Sequence, residues 1–252
     1  MTRQKMVELL TDLKENHYVT GVKAEFGSEG SSFFDVEELK KLSDETGLEI
    51  SLKIGGCEAL RDIIDAKTLG VNNIVVPMIE SSYATTKFVE TVNMAFDKLN
   101  NIKTFINIET KLGIDNIEEI LTKAQNIYGI VFGRSDLLNS LGIDKTLINS
   151  NQIINYAKFV SQISKKYNKE LIIGGGISLN SIPFFKSLSE NKLDKIETRK
   201  IIFNSHHDFE NLKTGIQKAL DFELLWLKDK KQKSLLDNIR IETLEKRKIF
   251  NH

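Results

Sequence analysis

Three ionisable residues stand where short apolar runs end: Lys53 in Leu52-Lys53-Ile54-Gly55-Gly56, Glu109 in Ile106-Asn107-Ile108-Glu109-Thr110, and Asp136 just past Ile130-Val131-Phe132-Gly133-Arg134. A carboxylate closing an apolar strand points into the cleft at the strand ends, where it is costly without a compensating cation. Glu109 and Asp136 lie one strand–helix unit apart in the chain. They therefore come from adjacent strands and can share one small ion. Mg²⁺ suits two carboxylates, with waters and substrate oxygens completing an octahedron. Ion pairing of the same carboxylates with Arg134 or Lys53 is the structural alternative. Lys53 also offers a chemistry of its own, because a strand-end lysine in a desolvated pocket can lose its proton and act as a Schiff-base nucleophile.

The elements that must position these residues alternate. Short β-branched runs ending in Gly, Pro or acidic residues predict strands at Gly21 to Phe26, Glu49 to Ile54, Asn73 to Pro77, Thr104 to Glu109, Gly129 to Phe132, Glu170 to Gly174 and Arg199 to Phe203. Helical spacing of apolar residues follows at Phe34 to Thr46, Glu58 to Leu69, Ser82 to Leu99, Ile114 to Gln125, Gln152 to Tyr167 and Leu179 to Ser189. Regular βα repetition predicts a parallel sheet with helices on its outer face. Seven strands suit a (β/α)8-type TIM barrel with a missing or cryptic first strand, or an open doubly wound sheet. The barrel is preferred because carboxylates and glycines recur at the carboxyl ends of the strands, where barrel active sites are built.

A chain of 252 residues with two prolines and no low-complexity stretch predicts one catalytic barrel over residues 1–204, followed by a helical extension over 205–252. Lys plus Arg balance Asp plus Glu at 35 each, so no bulk field recruits nucleic acid or an anionic membrane. The single cysteine, Cys57, excludes an intrachain disulfide. The first residues pass into a mixed-charge helical pattern without the apolar core of a signal peptide, and no run approaches a membrane span, so a cytoplasmic protein is expected.

The segment Ile106 to Ile120, followed by Gly129 to Leu137, resembles the metal-binding half of the HpcH/HpaI aldolase and citrate lyase family: a strand-ending glutamate, a helix opening Asn-Ile-x-Glu-Ile, and an Asp-Leu after the next strand. Ala66 to Glu80 is similar to the preceding unit of that family, with its Pro-Met turn. The resemblance spans residues 48–140 best. It implies a (β/α)8 barrel, usually oligomeric, in which Mg²⁺ or Mn²⁺ chelates the carboxylate and keto oxygens of a pyruvate-like group. Glu109 and Asp136 become the metal ligands, and the cation stabilises the enolate formed as a carbon–carbon bond breaks or forms. Lys53 falls where the family carries a substrate-binding arginine, and the family's histidine after the second strand has no counterpart in Lys23-Ala-Glu-Phe-Gly-Ser-Glu-Gly30. Glu25 is expected to replace it as base, with Glu29 as the alternative, if burial raises its pKa toward neutrality.

Other residues carry weaker signals. Gly174, Gly175 and Gly176 precede a predicted helix whose free N–H groups could bind an anionic part of the substrate, unless the run is only a tight turn. Arg134 is expected near enough to contact a bound substrate carboxylate or to orient Asp136. Arg199 opens the last predicted strand, which would put it at the bottom of the barrel, paired with Glu197; His206 and His207, following that strand, would lie at the active-site end and cap the final helix. Cys57 has no activating partner nearby in sequence.

The function expected is thus a metal-dependent carbon–carbon lyase or aldolase on a small 2-oxo acid, using Lys53, Glu25 and Arg134. A Schiff-base aldolase using Lys53, and a barrel that has lost its chemistry and serves as a binding subunit, are the alternatives. Phe209, Leu212, Ile216, Ala219 and Leu220, followed by Phe222, Leu224, Leu225, Trp226 and Leu227, place apolar residues nearly all round one helix. A neighbouring subunit, making a homo-oligomer through the C-terminal helices, is the simplest cover; the alternative is that the segment folds back over the open end left by the missing first strand.

Overall fold

A computed structural model describes residues 2–96 and 102–249. The last residues of the predicted 82–99 helix and of the 205–252 extension fall outside these. Eight strands close a barrel in chain order: β1 (Val19–Glu25), β2 (Glu49–Lys53), β3 (Asn73–Val76), β4 (Lys103–Ile108), β5 (Gly129–Gly133), β6 (Glu170–Gly174), β7 (Lys195–Glu197) and β8 (Ile201–Asn204). Outside them run α1 (Thr2–Asn16), α2 (Phe33–Thr46), α3 (Leu60–Leu69), α4 (Ser82–Ala95), α5 (Lys111–Asp115), α6 (Ile117–Lys123), α7 (Arg134–Ser140), α8 (Asn151–Lys166), α9 (Ile182–Lys186), α10 (Phe209–Asp229) and α11 (Leu235–Ile249). The fold is the (β/α)8-type barrel expected from the alternation.

Local chemistry sets the boundaries. Ser32 and Asp35 form a reciprocal capping box that starts α2, and Gly47, at φ 63°, ends it in the left-handed conformation. Along the strands, period-two alternation sends every second side chain inward. Val75, Phe105, Val131 and Ile172 meet there as an apolar plug across the barrel. Two residues further along the same strands lie Asn107, Gly133 and Gly174, and the floor of the upper opening is built from that layer.

The closure departs from the expectation of a missing first strand. β1 to β7 are parallel, whereas β8 pairs antiparallel with both β7 and β1 and fills the seam between them. The strand hidden in the sequence is β7, whose three residues Lys195-Ile196-Glu197 carry two charges and no apolar run. It turns directly into β8 through Thr198-Arg199-Lys200, where the Thr198 N–H donates to Ile201 O and the Ile201 N–H donates to Thr198 Oγ1.

That reversal corrects two expectations. Arg199 lies at the top of the barrel, and His206 and His207 at the opposite end from it. There the His206 ring packs 4.2 Å from that of Tyr18, and its Nδ1 accepts from the Asp208 N–H, while Asp208 caps α10.

The apolar surface of the C-terminal segment is covered within the chain. Phe222, Leu224, Trp226 and Leu227 are buried as α10 packs against α1 and α9 and α11 folds back on it. These residues therefore do not need a neighbouring subunit as cover. Leu235, Leu236 and Ile239 of α11 remain exposed. No described helix is long and apolar enough to cross a membrane.

Candidate active site

The upper opening is a cavity of about 450 Å³ ringed by the carboxyl ends of the strands and by Arg240 of α11. A larger cavity, about 1350 Å³, opens at the other end among strand starts. The upper one is the candidate site because the strand-end carboxylates converge in it, which size alone does not decide.

Glu109 follows β4 and is 2 % exposed. Its Oε1 accepts the Met78 N–H at 3.1 Å and its Oε2 accepts Asn107 Nδ2 at 2.6 Å, while Lys53 Nζ lies 3.5 Å from Oε1. Met78 makes this bond from a left-handed backbone, φ 53°, a conformation a non-glycine residue adopts only where its surroundings hold it. The facing acid is Asp136, in the first turn of α7. Burial, partly opposed by Lys53 and reinforced by repulsion from Asp136, raises the pKa of Glu109 from 4.5 to about 7. The two acids brought together from sequence thus form a like-charged pair in a desolvated pocket.

Lys53 ends β2 and stands between carboxylates, its Nζ 3.7 Å from Glu25 Oε1 and 3.5 Å from Glu109 Oε1. Glu25 ends β1, and its Oε1 accepts both the backbone N–H and the hydroxyl of Ser28. Burial pushes its pKa up, but Lys53, Lys23 and Ser28 together outweigh burial and leave it below the usual carboxylate value. The expectation that burial would raise Glu25 toward neutrality is therefore not met. Glu29 is engaged by Arg199 at 2.8 Å and by Lys200.

Arg134 is fully buried behind the glycine loop. It donates to the carbonyls of Gly174 and Gly175, to Asn149 Oδ1 and to Ser181 Oγ, and stacks 4.4 Å from the Phe184 ring centroid. Burial lowers its pKa from 12.5 to about 9, which leaves it charged at neutral pH. Its guanidinium props the loop, whereas the neighbouring Ser135 and Asp136 line the cavity. Gly174, Gly175 and Gly176 also line it. Gly175 and Gly176 have φ of 84° and 62°, and a Cβ on Gly175 would lie 2.6 Å from the Ser135 nitrogen, so this loop packs directly on the turn that carries Asp136. The loop leads into a three-residue 3₁₀ turn and the five-residue α9, in place of the longer predicted helix. Cys57 packs half-buried against the core and does not line the cavity.

Several members of the site were not singled out from sequence. Lys23 of β1 forms an ion pair with Glu197 of β7. Asn107 precedes Glu109 by two residues, so the period-two rule could have placed it on the same inward face. Arg199, expected beside Glu197, is instead bound to Glu29 and lies 3.9 Å from Glu223 of α10. Glu223, 1 % exposed, accepts both Nε and Nη2 of Arg240. No local pattern in the sequence marks this contact between helices.

The charges are segregated by depth. On the floor, Glu25, Glu109, Asp136 and Glu197 outnumber Lys23 and Lys53; at the rim, Lys145, Arg199 and Arg240 outnumber Glu29. Among the described residues, no three His, Cys, Asp or Glu side chains converge as a metal cage. A cation would therefore rest on Glu109 and Asp136, with other oxygens completing its shell. Their mutual repulsion fits them for that role, and two carboxylates plus water and substrate are a donor set that Mg²⁺ accepts.

Comparison with known proteins agrees with this architecture. Residues 55–164 match the model of the HpcH/HpaI aldolase/citrate lyase family, a range that contains the motifs at 66–80, 106–120 and 129–137. No curated protein matches the chain. Among solved structures, the citrate synthase SbnG superposes with a TM-score of 0.59 at 16 % identity, covering 77 % of this chain and 81 % of the other. A HpcH/HpaI aldolase/citrate lyase family protein from Burkholderia cenocepacia J2315 gives 0.59 at 14 % identity, over 76 % and 82 %. The HpcH/HpaI aldolase from Desulfitobacterium hafniense DCB-2 gives 0.61 at 12 %, over 79 % and 82 %. At these identities the structures establish a shared fold, and the family match supports an enzyme of lyase or aldolase type.

Proposed function

We propose, from a barrel matched over residues 55–164 by the HpcH/HpaI aldolase/citrate lyase model, that this protein is a divalent-cation-dependent carbon–carbon lyase or aldolase acting on a pyruvate-like 2-oxo acid. The observation carrying this reading is the pairing of buried Glu109 with half-buried Asp136, with the pKa of Glu109 raised to about 7. A site that had kept only its fold would gain nothing from that repulsion. Glu109 and Asp136 would hold Mg²⁺ or Mn²⁺, which when bound supplies an electron sink for the carbonyl and stabilises an enolate.

The remaining residues bind and orient. The surplus of two acids on the cavity floor suits a divalent cation, and the surplus of two cations at the rim suits an anionic substrate. Lys53, anchored between Glu25 and Glu109, would donate to the substrate carboxylate as a point charge, without the fork of an arginine. Asn107 and the Met78 N–H hold the Glu109 carboxylate in one orientation. A Schiff base at Lys53 is disfavoured by the same geometry, because it would leave Nζ one N–H to share between Glu25 and Glu109 in place of the three that its ammonium offers. A cytoplasmic location and self-association through the exposed face of α11 complete the reading.

Calorimetry with Mg²⁺ and oxalate, which mimics the enolate, tests it. Oxalate should bind only with the cation present, and Asp136→Asn should abolish that binding even when the cation is supplied. Cation-independent oxalate binding, or borohydride trapping of pyruvate on Lys53, would sink the metal-enolate reading.

A further inference from the structure

Reversible enolate formation requires a group that takes and returns a proton at the carbon beside the carbonyl, and among the described residues the cavity lining contains no histidine. We infer that Glu197, steadied by Lys23, is this catalytic base; the inference rests on the 2-oxo-acid reading above.

Two glycines define the geometry. Gly133 of β5 and Gly174 of β6 are register partners on neighbouring strands. A Cβ on Gly133 would lie 2.7 Å from Glu109 Cβ and 2.8 Å from its Oε2; one on Gly174 would lie 2.8 Å from Glu197 Cγ and 2.9 Å from its Oε1. The carboxylate of Glu109 therefore leans over one glycine from β4, and that of Glu197 over the other from β7. Neighbouring strands lie about 4.8 Å apart, so the two acids flank one gap floored by bare backbone. A small substrate held on the Glu109–Asp136 side would present its next carbon toward Glu197.

The chemistry of the neighbours selects Glu197. Glu25 is bound twice by Ser28 and approached by Lys53. Glu29 is held by Arg199 and Lys200, and Glu109 and Asp136 are assigned to the cation. Glu197 is 3 % exposed; its Oε1 accepts from Lys23, while its Oε2 is buried without a hydrogen-bond partner among the described residues. A carboxylate serving only as a structural ion-pair partner would be expected to satisfy both oxygens. Lys23 cannot be the base, because its pKa is raised: burial lowers it, but Glu197, Glu25 and Glu29 together more than reverse that.

In the assigned step, a proton leaves the carbon beside the carbonyl for the Glu197 carboxylate. The C–H electron pair becomes the carbon–carbon double bond and the carbonyl pair moves onto oxygen. The reverse transfer restores the acid with no net redox change.

Exchange of the pyruvate methyl protons in D₂O, followed by NMR with Mg²⁺ present, isolates this step. Glu197→Gln should slow exchange by at least about 100-fold, the scale of a positioned base, while the pyruvate Kd from calorimetry changes by less than about threefold. Glu197→Asp, which keeps the charge beside Lys23, covers the event that the amide variant misfolds; exchange should fall by at least about tenfold, and by more than affinity does. Exchange within about threefold of the wild type in either variant would overturn the inference, as would a loss of affinity equal to the loss of exchange. A wild type that binds pyruvate yet does not exchange it would overturn the base assignment alone. A wild type that does not bind pyruvate would overturn both this inference and the proposed function.

Discussion

Substituting Glu109 by Gln should make the cation-free protein more stable at alkaline pH, a result opposite to what removing a paired structural acid would give. The pKa of Glu109 rises from 4.5 to about 7 on folding, first through burial and then through Asp136, against the opposing pull of Lys53. With a folded pKa above the unfolded one, the stabilising contribution is present below pH 4.5 and is lost as pH climbs toward 7. At pH 8 the ionised group therefore costs about 3 kcal/mol relative to the unfolded chain, at 1.36 kcal/mol per pKa unit. Gln removes that cost and keeps the shape. It can still accept from the Met78 N–H, and if the Asn107 amide turns over, its now unpartnered Oδ1 can accept from the new amide. The opposing pull of Lys53 is already contained in that cost, so the net gain is about 3 kcal/mol at pH 8 and less than about 1 kcal/mol at pH 5. Urea unfolding of both proteins at pH 5, 6, 7 and 8 in a chelator measures this directly. Added Mg²⁺ should then stabilise the wild type and leave Glu109→Gln unmoved. A wild-type stability that is flat from pH 5 to 8, or a variant no more stable at pH 8, would refute the account of Glu109 as a repelled acid awaiting a cation.

Gly133→Ala should cost about 1–3 kcal/mol, because its Cβ falls 2.7 Å from Glu109 Cβ; thermal melts should also show a weakened response to Mn²⁺, since the acid must move. Arg134→Met should destabilise by about 2–4 kcal/mol through the unpaired carbonyls of Gly174 and Gly175, and limited proteolysis should locate the loosening at residues 174–181. Deleting residues 230–252 strips Arg240 from buried Glu223 and should lower stability by about 3 kcal/mol, read by urea unfolding, with light scattering reporting any change in particle mass.

What the sequence revealed and what it hid divide along a physical line. Seven of the eight strands were legible as β-branched runs because the strands of a helix-covered barrel are buried on both faces, and Glu109, Asp136 and Lys53 were visible because each stands at or just past the end of such a run. β7 was invisible, being three residues with a charge at each end; the Glu197 charge faces the site, so function erased the pattern that would have marked the strand. Missing β7 reversed the inferred direction of β8, which sent Arg199 to the wrong end of the barrel and the histidines to the other. Arg134 looked like a ligand-binding residue because polarity at a strand end is common to binding sites and to buried props, and only its partners distinguish them. The bond of Glu223 to Arg240 depends on how two helices lie against each other, and no periodicity in either helix encodes it.

The antiparallel last strand also bears on how the molecule comes into being. Val19 and Phe203 are register partners, and Glu29 meets Arg199 and Lys200, so the seam and the rim are both sealed by residues drawn from opposite ends of the chain. Such pairings must pay the closure entropy of the whole intervening chain before any contact rewards them. During synthesis, Glu109 and Asp136 are made long before the hairpin that completes their surroundings. A nascent chain thus carries the acidic pair while Lys23 still waits for Glu197. Barrel closure and assembly of the upper chamber become one late event, and a partly made chain has no enclosed chamber around its acids.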